Sequence, residues 1–313
     1  MNFEHNEYKI PSNTGTAKIY IQSIVPSDKN AIKGIISIIH GMAEHSDRYR
    51  EIAEYLSSHG YAVFFHDHAG HGKSVSSDED LGFFCKENGN EKIVDDVKDV
   101  ICFAKKIFPD RPVILWGHSM GSFITRRLIA KYPDEADGAI ICGTSGSNPA
   151  APAGILIAKT IAKLFGAHHR SNLLDAMAFG SYNKKFDKKT GFEWLSENEQ
   201  NVADYVADRL CGYKFTASGF KDLFSLLASV SSKEWYDQVP KNLPIYLIAG
   251  DMDPVGNYGK GVTEVYNKLC STAHTDISVK LYPGLRHEIH NEKSRQIVLD
   301  DILSFADAVT AKK

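Results

Sequence analysis

From Gly34 onward, short apolar blocks alternate with longer stretches of helical spacing, the pattern of a parallel sheet crossed by helices. The blocks at 35–39, 61–65, 113–116, 139–142, 245–248 and 277–281 are too short and too β-rich for buried helices and are expected as strands. Between them, Tyr49, Ile52, Ala53 and Leu56 share one helical face, with Ser46 as a candidate cap and Gly60 as a stop. Ile93, Val97, Val100, Ile101, Ala104 and Phe108 define a second helix. A third runs from Ser119 to Tyr132, where Pro133 ends it, and Val298, Ile302 and Phe305 mark the last. No helical pattern separates block 19–25 from the next strand, which predicts an added antiparallel edge.

The alternation fails between 147 and 232 and resumes near Pro244. That stretch is helical and aromatic-rich, and it predicts a helical cap inserted into a core made of residues 1–146 and 233–313. Within it, Ile155, Ala158, Ile161, Ala162, Leu164 and Phe165 are expected on one helix face, with Lys159 and Lys163 elsewhere. Such an insertion leaves the sheet at the C-terminal ends of its strands, which places it above any site there.

Composition narrows the function. The 313 residues are 43% hydrophobic, enough for a large core, and 36 basic residues nearly balance 39 acidic ones, a net charge of −3. That balance gives no electrostatic footprint for nucleic acid and favours a small, weakly polar substrate. The N-terminus lacks the pattern of a signal peptide and no apolar run reaches membrane-spanning length, so a cytoplasmic location is expected. The five cysteines show no CxxC spacing, which predicts neither a disulfide framework nor a zinc site.

The chemistry is carried by Gly117-His118-Ser119-Met120-Gly121, placed between an expected strand and an expected helix. A serine on so tight a turn needs glycines on both sides, because side chains there would strike neighbouring backbone. A serine hydroxyl also needs a base to take its proton and an acid to orient that base. After an elbow of this kind the acid and then the base follow in the chain. The 245–248 strand runs into Asp251 and Asp253, and the 277–281 strand into His287, with His290 three residues on. Asp253, backed by Pro254, lies farther out and is preferred as acid, with Asp251 as a turn residue; His287 is preferred as base over His290, which is expected inside the last helix. The backbone amides of Met42 and Met120 are the expected oxyanion donors. His40, His45 and His118 lack helical metal-ligand spacing and are expected to make loop hydrogen bonds; no cofactor is implied. Gly72-Lys73-Ser74 mimics the end of a phosphate loop, but Asp67 stands where its first glycine would be.

His40-Gly41-Met42-Ala43-Glu44-His45-Ser46, Asp67 to Ser74, the Ser119 motif, Asp253-Pro254 and Tyr282-Pro283-Gly284-Leu285-Arg286-His287-Glu288 together resemble the monoacylglycerol lipase and lysophospholipase group of α/β hydrolases. The Cys211-Gly212-Tyr213-Lys214-Phe215-Thr216 stretch is similar to bacterial members, and Ala43 stands where relatives often carry glycine. The resemblance implies an α/β-hydrolase fold with an eight-stranded, mostly parallel sheet. It further implies a Ser119–His287–Asp253 triad with oxyanion donors at Met42 and Met120 and an acyl ester substrate; the apolar helix face of the insertion is expected either to pack on the main domain or to sheathe an acyl chain and touch a lipid surface. The same triad on amides, small esters or thioesters is the alternative, and a non-catalytic binding protein the remote one.

Overall fold

The computed structural model describes residues 3–15 and 17–313. The strands are β1 (Phe3–Pro11), β2 (Lys18–Pro26), β3 (Gly34–Ile39), β4 (Tyr61–Asp67), β5 (Val113–His118), β6 (Gly138–Cys142), β7 (Ile245–Gly250) and β8 (Ile277–Tyr282). They form one sheet in the order β1-β2-β4-β3-β5-β6-β7-β8, in which β2 alone runs against the rest. This is the eight-stranded α/β-hydrolase architecture.

Each central strand is apolar on both faces because both are covered. Val113 and Leu115 enter one core and Ile114 and Trp116 the other. Helices α1 (Arg50–Ser58) and α10 (Arg295–Thr310) close one side, while α2 (Gly89–Ile107), α3 (Met120–Lys131) and α9 (Lys260–Ser271) close the other.

Two local expectations need correction. Block 19–25 is not the edge: β1 pairs outside β2 along its whole length. Of its residues, FEHNEYKIP, only Phe3, Tyr8 and Ile10 are apolar side chains packed on the cores, a signal too sparse to mark a strand. Ser46 does not cap a helix either. It opens a 3-10 turn (Ser46–Tyr49) ahead of α1, its amide bonds Asp67 Oδ1 at 2.7 Å, and its hydroxyl accepts from Gln22. Asp67 therefore serves as a loop anchor, also accepting the Lys73 amide at 2.7 Å.

The chain between β6 and β7 carries α4 (Ala151–Phe165), α5 (Asn172–Phe179), α6 (Glu199–Ala207), α7 (Ala217–Ser231) and α8 (Lys233–Gln238). Helix α7 packs against α2 and α3 and supports α4 on its other side. The fully buried Arg126 of α3 joins the two ends of this segment, donating to the Ser145 carbonyl at 2.9 Å and to the Val230 carbonyl at 2.5 Å. Its guanidinium lies 4.4 Å from the Trp235 ring centroid. On α4, Ala158 is buried as its spacing predicts, but Leu164 and Phe165 are 69% and 66% exposed rather than packed. No described helix is long and apolar enough to cross a membrane.

Candidate active site

Ser119 joins β5 to α3 with φ 55° and ψ −121°, a conformation costly for a residue with a Cβ. The flanking glycines are obligatory on packing grounds. A Cβ on Gly117 would lie 2.2 Å from Thr125 Oγ1, and one on Gly121 would lie 2.0 Å from the Ile39 carbonyl oxygen. The Ser119 amide bonds the Cys142 carbonyl at 3.0 Å, which ties the elbow to the neighbouring strand.

His287 lies beyond β8 and Asp253 beyond β7, both buried. The His287 Nδ1–H donates to Asp253 Oδ2 at 2.9 Å, and the other carboxylate oxygen accepts the Val255 amide at 2.8 Å. Burial disfavours an imidazolium at His287, but the charge and hydrogen bond of Asp253 outweigh it and raise its pKa above the ordinary value. Asp251 does something else: its Oδ1 accepts the Gly284 amide at 2.8 Å, joining the two loops as a turn residue. His290 is fully buried in a 3-10 turn (Ile289–Asn291), ahead of the last helix rather than within it, with its ring stacked on Tyr49.

Ser119, His287, Met42 and Met120 border one cavity of about 490 Å³. Its remaining walls are mainly apolar side chains of the inserted segment and α3, including Phe123, Phe179, Trp194, Tyr213 and Phe224. Within the first turn of α3 the Ser122 amide bonds the Ser119 carbonyl at 2.9 Å, and the positive end of the helix dipole lies at Ser119. The Met42 turn is held by Glu44, whose Oε1 accepts the Gly41 amide at 2.6 Å and the Tyr49 hydroxyl at 2.9 Å.

Sequence reasoning assigned no role to the ion network beside this turn. Arg48 bonds Glu44 Oε2 at 2.5 Å and both oxygens of Glu288 at 2.7 Å. Burial would raise the Glu288 pKa, yet Arg48 holds it down to about 2. Glu44 is instead raised by burial, against the pull of the same guanidinium. The Glu44-to-Arg48 spacing of four residues was the available signal; the Glu288 partner lay far away in sequence.

Of the three histidines expected to make loop hydrogen bonds, His40 and His45 do so, whereas Nδ1 of the buried His118 has no partner among the described residues. His40 donates from Nδ1 to the Gly41 carbonyl at 2.7 Å and accepts the His68 amide at Nε2 at 3.1 Å, while His45 pairs with Asp208 at 2.8 Å. Two groupings bring potential metal ligands within 4.8 Å of one another: His118, Cys142 and His290, and His45, Asp208 and Cys211. All five cysteines are free thiols.

A serine on a strained elbow and a histidine–aspartate pair border one largely apolar cavity at the strand ends of an α/β-hydrolase scaffold. Comparison with known proteins agrees. Residues 30–294 match the family model described as serine aminopeptidase, S33 (Hydrolase_4), and the chain belongs to that family. Within it, the chain groups with the monoacylglycerol lipases, which are carboxylester hydrolases. It is 29% identical over 279 residues to the monoacylglycerol lipase of Mycolicibacterium smegmatis, covering 87% of this chain and 88% of that one. It is 30% identical to the monoglyceride lipase of Mus musculus, covering 83% and 77%. A thermostable carboxyl esterase from Bacillus coagulans, solved in complex with glycerol, superposes with a TM-score of 0.91 at 30% identity over 98% of this chain and 99% of that one.

Proposed function

We propose that this chain hydrolyses acyl esters of a small polyol, monoacylglycerols or lysophospholipids, through a Ser119–His287–Asp253 triad and an acyl-enzyme. The observation that carries this is the shared cavity: Ser119 and His287 border one apolar space, and Asp253 occupies the Nδ1 side of His287, which leaves Nε2 for the serine. Ser119 Oγ attacks the ester carbonyl as Nε2 takes its proton, and the amides of Met42 and Met120 receive the oxyanion. Collapse breaks the ester C–O bond, and the imidazolium returns the proton to the departing alkoxide, releasing the alcohol. Water then repeats the sequence on the acyl-enzyme, releasing the acid and restoring Ser119.

The segment 147–232 is the cap of this site and sheathes the acyl chain. A polyol leaving group is supported by the glycerol held by the Bacillus coagulans relative. Leu156, Leu164, Phe165, Leu173 and Met177 are exposed on α4 and α5, an apolar surface suited to lipid contact. Of the three carboxylates bordering the cavity, Glu44 and Glu288 are taken up by Arg48, so the amide alternative would have to place an α-ammonium group at Asp175.

The test is labelling and turnover of the wild type and Ser119→Ala. A fluorophosphonate should label only the wild type, and the variant should lose about a thousandfold in kcat while remaining folded. Across glycerol monoesters of increasing length, kcat/KM should rise several-fold per methylene until the cavity is full, each buried methylene contributing about 0.8 kcal/mol. Faster cleavage of aminoacyl anilides than of any monoester would replace this reading with the amide one.

A further inference from the structure

Behind the His287–Asp253 pair, three buried side chains from separate strand ends converge. His118 ends β5, Cys142 ends β6 directly opposite it in register, and His290 follows β8. One ligand atom from each lies within 4.8 Å of the other two. None of the three residues is more than 2% exposed.

The cluster is not satisfied by the protein around it. Nδ1 of His118 and both ring nitrogens of His290 have no hydrogen-bond partner, and neither has the indole N–H of Trp116. A neutral imidazole carries one donor and one acceptor, and buried polar atoms left without partners call for an occupant. Charges of both signs surround the cluster: carboxylates of Asp253, Glu44 and Glu288 act on Cys142, Arg48 and His287 act on both histidines, and Glu288 and Arg295 also act on His290.

We propose that His118, Cys142 and His290 form a zinc-binding site that inhibits the enzyme, with a fourth position open to water. Two imidazoles and one thiolate suit a borderline-soft, tetrahedral ion. As the Zn–S bond forms, the Cys142 thiol releases its proton to solvent, so the occupied site gains one net positive charge. The His118 ring centroid is 4.6 Å from that of His287. Turnover requires His287 to become an imidazolium, and a positive charge behind it opposes that step. Occupancy therefore lowers kcat and leaves KM nearly unchanged, because the apolar walls of the cavity are untouched. The binding claim stands on the cluster alone; the inhibition claim rests on the proposed role of His287.

The test is titration of the full, chelator-stripped chain with Zn2+ by calorimetry in buffers of different ionisation enthalpy, and with Co2+ by absorbance. One equivalent of zinc, about one proton released and a thiolate-to-cobalt charge-transfer band are expected, with kcat reduced at least about tenfold at saturation. Cys142→Ala and His290→Leu should each lose the band and the zinc sensitivity, measured against the variant's own zinc-free rate. Cys211→Ala, which removes the thiol of the other grouping, should keep both, so the assignment stands even if a core variant fails to fold. A wild type that takes up no metal, or a band that disappears with Cys211 and persists without Cys142, overturns the site. Stoichiometric zinc with unchanged turnover overturns only the inhibition, while fluorophosphonate labelling of Ser119 separately tests the hydrolase reading.

Discussion

The hydroxyl of Tyr205, on α6 of the inserted segment, donates to the carbonyl oxygen of Ala43 at 3.0 Å. The Gly212 amide reaches the same oxygen at 2.9 Å. Ala43 has φ 52°, a strained value for a residue with a side chain, and sits between Met42 and Glu44. Two donors from the insertion thus hold the turn that presents the Met42 amide. Tyr205→Phe removes one of them without changing shape. It should lower kcat by about three- to tenfold, the worth of one buried hydrogen bond, with KM and the circular dichroism spectrum unchanged. An effect on KM alone would mean that Tyr205 contacts substrate and does not position the turn.

The two aspartates beyond β7 should separate cleanly. Asp253→Asn loses the charge that orients and stabilises a protonated His287, and kcat should drop by at least about a hundredfold. Asp251→Asn keeps an oxygen for the Gly284 amide, so activity should stay within about threefold of wild type. Steady-state kinetics on a single ester decides it, and the reverse ranking would move the acid role to Asp251.

The pH profile follows from the same pair. In the proposed mechanism His287 must be neutral to accept the serine proton, and its pKa lies above the ordinary 6.5 because Asp253 overcomes burial. The acid limb of kcat/KM on an uncharged ester should therefore fall above pH 6.5, and in Asp253→Asn the residual activity should have its limb at lower pH. The sign for stability is the opposite of the sign for activity. A raised folded-state pKa stabilises the fold fully below the unfolded value, and that contribution fades as pH rises through the folded one. An acid limb well below 6.5 in the wild type would contradict the pairing.

Beneath the Met42 turn, His40, His66, His68 and His71 are buried together and neutral. Burial pushes His66 down to about 3 and His71 down to about 4. Depressed histidines leave the unfolded chain binding more protons below its own pKa, so stability should be lost progressively as pH falls from about 6.5 toward 4. Calorimetric Tm measured across that range should fall steeply, and His66→Asn should reduce the slope by up to one proton. A slope unchanged in that variant would show that His66 already titrates normally in the fold.

What the sequence determined by itself was local. The elbow was legible because strand, glycines, serine and helix are contiguous, and no other residues fit that backbone. The central strands were legible because burial on both faces requires an unbroken apolar run. Strand β1 was not, since only Phe3, Tyr8 and Ile10 of its nine residues pack on the cores, too few to make an apolar pattern. The exposure of Leu164 and Phe165 was hidden for a related reason: helical periodicity marks a face but does not say what covers it. The long-range relations were decided only by the tertiary structure. The parallel crossovers bring His118, Cys142 and His290 together from 172 positions of chain; the insertion carries Tyr205 back onto Ala43; and Glu288 meets Arg48 across 240 residues. Each depends on two backbones being brought into register by packing elsewhere, and spacing along a single chain holds no record of that.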